Sequence, residues 1–425
     1  MKYEIRVNNK GSYDVIVVGS GPAGVAAAIS SGRNGAKTLL IESLGRVGGI
    51  STSGMMSHFT GQCESDLYFE ILDRAKSKNQ YFPELKKKYI DPELLTLTYI
   101  EMLEEAGVDI LLYTTFCDVI MDGDKVTGII CHNKDGFGKY DAKVVIDASG
   151  DGDVAEKSGV EYFKGRESDG KMQPATLMFK VGGVDTERAV FPGAFECLVE
   201  TDKGELQALA KEKLPHPSGH VLLYRSTLPG IATCNMTNAI DIDGTCAEDL
   251  TRAEIICRKQ MPLIVDFLRE FAPGYENCYI IGSASLIGIR ETRHFKGMKT
   301  ITEQEISAAV QHEDAVVIDA HFNFDVHNIS GAGLDKTGCQ KYFTQKNGYT
   351  IPYGCLVPEK IDGLLLSGRN ISGTHMAHSN FRAMPICVGI GEACGAAAAI
   401  AAKEGLELRN IAASKIRDRI ENPRA

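Results

Sequence analysis

The stretch Asp14-Val15-Ile16-Val17-Val18-Gly19-Ser20-Gly21-Pro22-Ala23-Gly24 decides how this chain is read. Its unbroken apolar run suits a strand buried on both faces, and the small residues from Val25 to Ile29 suit a closely packed helix. A second apolar run, Thr38 to Ile41, ends in Glu42 at the spacing of about 20 residues expected of a ribose-binding acid. In a strand–turn–helix of this kind each residue type has a task. Gly19 permits the turn, Gly21 leaves room for a pyrophosphate to touch backbone, and Gly24 lets helix and strand approach. Pro22 suits a first helical turn, where its missing N–H has no intrahelical partner. The exposed N–H groups and the helix dipole favour phosphate charge. Together these features predict a bound adenine dinucleotide, and taken alone they fit NAD as well as FAD.

At 425 residues the chain exceeds the size at which one core keeps growing, so two domains are expected. A net charge of −10 with no long basic run argues against nucleic acid as a partner. No apolar stretch of about 18 residues stands out as a membrane span. The start, Met1 to Arg6, lacks the apolar core of a signal peptide, so a cytoplasmic location is the default expectation. The twelve cysteines are scattered without a C-x-x-C pair, which excludes clustered iron–sulfur or zinc thiolates and leaves small buried thiols in a reducing compartment.

Gly45 to Gly54 is too glycine-rich for a regular element and suits close backbone approach to a planar ligand or a diphosphate. Residues 64–106 read as helical, followed by a strand from Val108 to Tyr113. Two short runs flank the turn Asp122-Gly123-Asp124 as a hairpin, and the strand Lys143 to Ala148 leads into Ser149-Gly150-Asp151-Gly152-Asp153. Residues 247–271 form an amphipathic helix on Leu250, Ile255, Ile256, Leu263, Ile264 and Phe267. A further buried strand, Ile361 to Ser367, precedes a small-residue helix that starts at Pro385. Its glycines 389, 391 and 395 each cost roughly 1 kcal/mol against alanine, so either tight packing or a ligand must come close. The expected architecture is α/β: residues 1–165 the first part of a Rossmann domain with a β-meander, 166–345 an inserted α+β substrate or cap domain, and 346–425 the returning part.

On Gly19 to Gly24 with Glu42, Asp147 to Asp153, and the tail from Ile351 to Ala399, the chain resembles FAD-dependent oxidoreductases with a glutathione-reductase-like FAD-binding domain. Gly288-Ile289-Arg290-Glu291-Thr292-Arg293 and Leu366 to Ser372 resemble a large, mostly uncharacterised bacterial branch of that group. The resemblance implies non-covalent FAD. It places Gly19, Gly21, Pro22, Ala23 and Gly24 at the pyrophosphate, and Glu42 with Ser43 at the adenosine ribose. Gly48 and Gly49 would lie along the phosphates, Phe116, Cys117, Ser149 and Gly150 around the adenine, and Gly368, Arg369, Val388, Gly389 and Gly391 at the flavin end. A second fingerprint for NAD(P)H is missing.

For chemistry the polar residues near these motifs are the candidates. Arg290 and Arg293 are three apart and suit a carboxylate clamp, or else a structural pair bridging Glu291. His375 and His378, in Thr374 to Arg382, could move protons; their spacing would suit a metal pair, but no third ligand is identifiable, so no metal is expected. His58 is a weaker acid–base candidate, and His216, His220 and Arg225 could line the inserted domain. The expected function is hydride transfer between FAD and a small polar organic molecule, with carboxylated ones among the candidates and a flavoprotein electron-transfer component as the alternative. A small-molecule substrate is the expected partner, and a homo-oligomer is compatible with the chain.

Overall fold

The computed structural model describes residues 4–56, 58–79, 81–82, 89–338, 345 and 347–423. Strand Val7–Val18 sits within a seven-stranded sheet. On one side it pairs parallel with Thr38–Ile41, which pairs parallel with Asp109–Leu111. On the other it runs parallel to the long strand Gly136–Asp147. The far edge of that long strand is divided. Its first half pairs antiparallel with Lys125–Asn133, which turns back into Thr115–Asp122, and its last residues pair parallel with Leu364–Leu366. The β-meander and the C-terminal return therefore meet on a single strand, in an α/β fold with a mixed, Rossmann-like sheet. Val15 to Val18 are all buried, as an apolar run covered on both faces requires.

Helix Pro22–Arg33 and helix Met384–Glu404 pack against each other over this sheet. A Cβ at Gly391 would lie 2.0 Å from the Ala23 carbonyl oxygen, and one at Gly395 would lie 2.2 Å from that of Ala27. Of the two explanations left open for these glycines, helix-on-helix packing is the one the contacts supply. Helix Met384–Glu404 is also long and apolar enough to cross a membrane, which the sequence reading had missed, but it is enclosed within the protein.

Buried apolar side chains form two main cores. One gathers residues from Val15 to Val160 and from Phe295 to Ile416; the other runs from Ala175 to Ala284. Val316, Val317, Ala320 and Phe324 thus belong to the first core, although they fall inside the 166–345 stretch expected as the insertion. The second core is built on a four-stranded sheet, Leu223–Arg225, Ala232–Cys234, Phe179–Gly182 and Tyr279–Ser283, together with helix Ala247–Phe271. That helix has the expected bounds, but its buried face is carried by Ala253, Cys257, Met261, Ile264 and Leu268, while Ile255 and Leu263 are exposed. The expected helical run 64–106 is divided: Asp66–Ser77 is capped by Ser65, and Pro92–Glu105 by Asp91, with residues 80 and 83–88 outside the described set. The described cysteines form no disulfide, and most are buried.

Candidate functional site

A cavity of about 670 Å³ is lined by side chains of both cores. Its first wall is the glycine turn. Gly19, with φ +93°, passes so close to Ala148 that a Cβ would lie 2.5 Å from its carbonyl oxygen, and a Cβ at Gly24 would lie 1.9 Å from the Gly19 oxygen. Both are explained by packing. Gly21 is different, because a Cβ there would meet nothing within 4 Å. Its φ of −60° suits any residue, and it precedes a helix whose start no side chain caps. Backbone is left bare toward open space at a helix N-terminus, the environment a diphosphate requires. Glu42 stands beside it: one carboxylate oxygen accepts from the Ser20 N–H and hydroxyl at 3.0 and 2.6 Å, the other from the Ser43 hydroxyl and the Leu44 N–H.

Gly19, Gly21, Pro22, Ala23, Glu42, Ser43, Gly49, Phe116, Ser149, Gly150, Gly368 and Arg369 all line this cavity. Gly24, Gly48, Cys117, Val388, Gly389 and Gly391 are not among its lining residues. For the last three the reason is helical phase. The first turn of helix Met384–Glu404 brings Met384 and Cys387 to the cavity, whereas Val388 is buried, Gly389 faces Cys63 and Val317, and Gly391 faces Ala23.

Among the four candidate catalytic residues, Arg290 alone reaches the cavity. It donates to the Pro174 carbonyl at 2.6 Å and to the Thr176 hydroxyl at 2.8 Å, and among the described residues it has no carboxylate partner. Burial, then the neighbouring Arg382, pushes its pKa down to about 10. Arg293 is not its partner. That side chain turns to the Asp151 carbonyl and the Asp153 carboxylate. The second guanidinium at the cavity is Arg382, which donates to the Asp325 backbone carbonyl at 2.7 Å and carboxylate at 2.9 Å. Asp325 is held well below the usual carboxylate range by His327 and the two arginines, against the effect of burial. His327 is itself pushed down to about 4 by burial and Arg290, so it is neutral at pH 7. Tyr224, whose oxygen accepts from the Asn235 amide at 3.2 Å, is pushed up to about 12 by burial and keeps its proton.

His375 and His378 lie behind this wall, not on it. Of the weaker candidates, His58 stacks on Tyr89 and meets the edge of Tyr224, Arg225 lies over the Phe82 ring, His220 is buried on the Asn235 carbonyl, and His216 is exposed. None of the four is a cavity-lining residue. Sequence reasoning missed Asp325, His327, Tyr224 and Asn235, which come from separate segments and carry no local motif.

Packing accounts for Gly19 and Gly24 but not for Gly21, so the first wall has the form of a dinucleotide-binding turn. A family model described as FAD dependent oxidoreductase matches residues 14–420. The chain belongs to that family: it is an FAD-dependent oxidoreductase and its cofactor is FAD. It is 30% identical over 160 residues to a digeranylgeranylglycerophospholipid reductase of Picrophilus torridus, 33% of this chain and 39% of that protein. It is 27% identical over 168 residues to an NADH:fumarate oxidoreductase of Klebsiella pneumoniae, 28% of this chain and 18% of that one. The matches thus span less than half of either curated relative. A geranylgeranyl bacteriochlorophyll reductase-like structure from Thermoplasma acidophilum superposes with a TM-score of 0.52 at 14% identity, covering 97% of this chain and 83% of that one, a likeness of fold.

Proposed function

We propose that the enzyme transfers a hydride between non-covalent FAD, held in a glutathione-reductase-like domain, and a small organic molecule that carries a carboxylate. One observation carries the reading. Two partly buried guanidiniums, Arg290 and Arg382, line the same cavity, and among the described residues the only carboxylate paired with either is Asp325. One positive charge is left over. A buried charge is costly unless paired, and a planar guanidinium matches a carboxylate in two parallel hydrogen bonds. Arg290, bonded to uncharged acceptors alone, is the anchor, and Arg382 is fixed beside it by Asp325. Met56, Met178, Leu222 and Phe195 give the adjoining wall an apolar surface for the substrate's carbon skeleton.

When bound, FAD supplies the hydride chemistry, and the protein supplies position and electrostatics. Gly21 and the start of helix Pro22–Arg33 would hold the pyrophosphate, and Glu42 the ribose. The Tyr224 hydroxyl keeps a proton available in the cavity, and neutral His327 adds no charge to compete with Arg290 for the carboxylate. To test the reading, FAD-loaded enzyme is titrated anaerobically with a panel of carboxylates while the flavin absorption is followed. A carboxylate that bleaches or perturbs the band should bind about 10- to 100-fold more weakly to Arg290→Met, the loss expected of a charge-assisted hydrogen bond, with FAD content unchanged. Equal affinity in wild type and variant would remove Arg290 from this role.

A further inference from the structure

Behind the cavity wall, two segments bring four ligand-type side chains together. Glu291 and His294 come from the segment that enters strand Arg293–Phe295, and His375 and His378 share one face of helix His375–Phe381. One oxygen of Glu291 accepts from His294 Nε2 at 2.8 Å and from His375 Nδ1 at 2.5 Å; the other accepts from the Gln173 N–H at 3.1 Å. Ligand atoms of Glu291, His294 and His378 lie within 4.8 Å of one another, and all three residues are buried. The rings of His294 and His378 meet edge to face with centroids 4.8 Å apart, and Phe163 stacks on His294.

Two features of this cluster invite a cation: an imidazole nitrogen without a hydrogen bond, and a carboxylate whose charge is met only by imidazoles and one backbone N–H. His378, 1% exposed, has no hydrogen bond to its Nδ1 among the described residues. The Glu291 side chain is 0% exposed, yet no lysine or arginine of the described set lies within ion-pair distance. A buried carboxylate without a formal positive partner is costly, and an idle imidazole nitrogen beside it forgoes a bond. A cation at the centre of the three residues answers both. Two imidazoles and one carboxylate are the donor set of zinc and its neighbours, with bonds of about 2.0–2.2 Å. Tetrahedral ligand atoms are then about 3.3–3.6 Å apart, so the 2.8 Å bond of His294 Nε2 on Glu291 would open slightly while the wider spacings, up to 4.8 Å, close.

We propose that Glu291, His294 and His378 bind a divalent transition-metal ion of the zinc type, with His375 orienting the carboxylate from outside. Such a partner, bonded to a ligand and not to the metal, commonly contributes about 10–100-fold in affinity. The ion would tie helix His375–Phe381 to the 291–294 segment.

The FAD-loaded enzyme tests this directly. After chelation and removal of the chelator, it is titrated with zinc chloride, passed through gel filtration and assayed for metal by mass spectrometry, with X-ray absorption to identify the ligands. The expected result is one retained zinc per chain, with the outer scattering of imidazole. In His378→Gln, with FAD absorbance showing that the fold is kept, affinity should fall by more than the roughly 10–100-fold of an outer partner. No retained zinc in wild type, zinc without imidazole scattering, or equal retention in a folded His378→Gln would each overturn the proposal. Should His378→Gln lose its FAD, His294→Gln takes its place, and the wild-type stoichiometry and absorption spectrum still decide.

Discussion

Gly21 and Gly391 are both glycines on the way to the cofactor, yet the structure assigns them opposite reasons, and alanine separates the two. In Gly391→Ala the new methyl falls 2.0 Å from the Ala23 carbonyl oxygen, 2.8 Å from its carbon and 2.9 Å from its Cα. All three atoms are helix backbone, so the contact is relieved only by moving helix Pro22–Arg33 away from helix Met384–Glu404. Overpacking a core commonly costs about 1–3 kcal/mol, while alanine gains roughly 1 kcal/mol over glycine in a helix interior. The net expectation is a loss of up to about 2 kcal/mol, present with and without FAD. Gly21→Ala meets nothing within 4 Å and has φ −60°, so the stability of the FAD-free protein should stay within about 0.5 kcal/mol of wild type. With the pyrophosphate against Gly21 as proposed, its FAD affinity should fall about tenfold or more, a loss of about 1.4 kcal/mol, because the methyl would take that space. The assay is denaturant unfolding of FAD-free protein together with fluorescence titration of FAD. If Gly391→Ala keeps full stability but loses FAD, or Gly21→Ala unfolds more readily yet binds FAD normally, the division between packing and ligand is wrong.

Two pH effects follow from buried groups, with opposite signs. Burial, opposed by the hydrogen bond from Ser65, pushes Glu392 up to about 7. Between pH 4.5 and 7 the unfolded chain releases this proton while the folded one keeps it, so stability falls as pH rises through that window. Glu392→Gln should therefore match wild type near pH 5 and exceed it by up to about 3 kcal/mol at pH 8, read from denaturant midpoints; equal midpoints at pH 8 would show that Glu392 ionises without cost. His327, pushed down to about 4, acts the other way. As pH drops from 6.5 toward 4 the unfolded chain gains a proton that the folded one refuses, removing up to about 3 kcal/mol, and His327→Gln should flatten that part of the profile. A profile unchanged by the variant would place the acid sensitivity elsewhere, for instance at buried His220, pushed down to about 3. At the phosphate wall, Glu42→Gln keeps its size but loses the charge that accepts from Ser20 and Leu44, so FAD titration should show weaker binding; unchanged affinity would remove the carboxylate's role.

Local geometry made the cofactor side legible. A strand, a turn and a helix start occupy eleven consecutive residues, and Glu42 follows at a spacing set by one crossover, so sequence could bring Gly21 and Glu42 to one place, and both line the cavity. The C-terminal return was legible as well, because Leu364–Leu366 is an apolar run and Met384–Glu404 is made almost wholly of apolar and small residues. What sequence could not supply was helical phase. Leu263 and Ile255 fit a helical stripe yet face solvent, because Ala253, Cys257 and Gln260 take the buried positions on helix Ala247–Phe271. Gly389 and Gly391 lie within two turns of cavity-lining Cys387 yet face other neighbours. The arginine wall of the cavity was harder still. Arg290, Asp325, His327 and Arg382 meet through tertiary folding alone, and Arg293, three residues from Arg290, has its own carboxylate at Asp153.

The two cavity arginines and the buried Glu–His cluster are built on the same two short segments. In extended chain neighbouring side chains point to opposite sides, so Arg290 facing the cavity sends Glu291 into the protein. In the other segment, Arg382 follows one turn after His378, with its N–H bonded to the His378 carbonyl at 3.1 Å, and it too reaches the cavity while the histidines turn inward. Each segment thus presents a cation outward and metal-type ligands inward. The separation of the guanidiniums is then set by the bonds among Glu291, His294 and His375 behind them, since these join segment to helix. A buried junction of this kind fixes charge geometry more firmly than surface ion pairs, whose partners are screened and mobile. His375 and His378, the candidates for moving protons, thus lie behind the wall that Arg290 and Arg382 line.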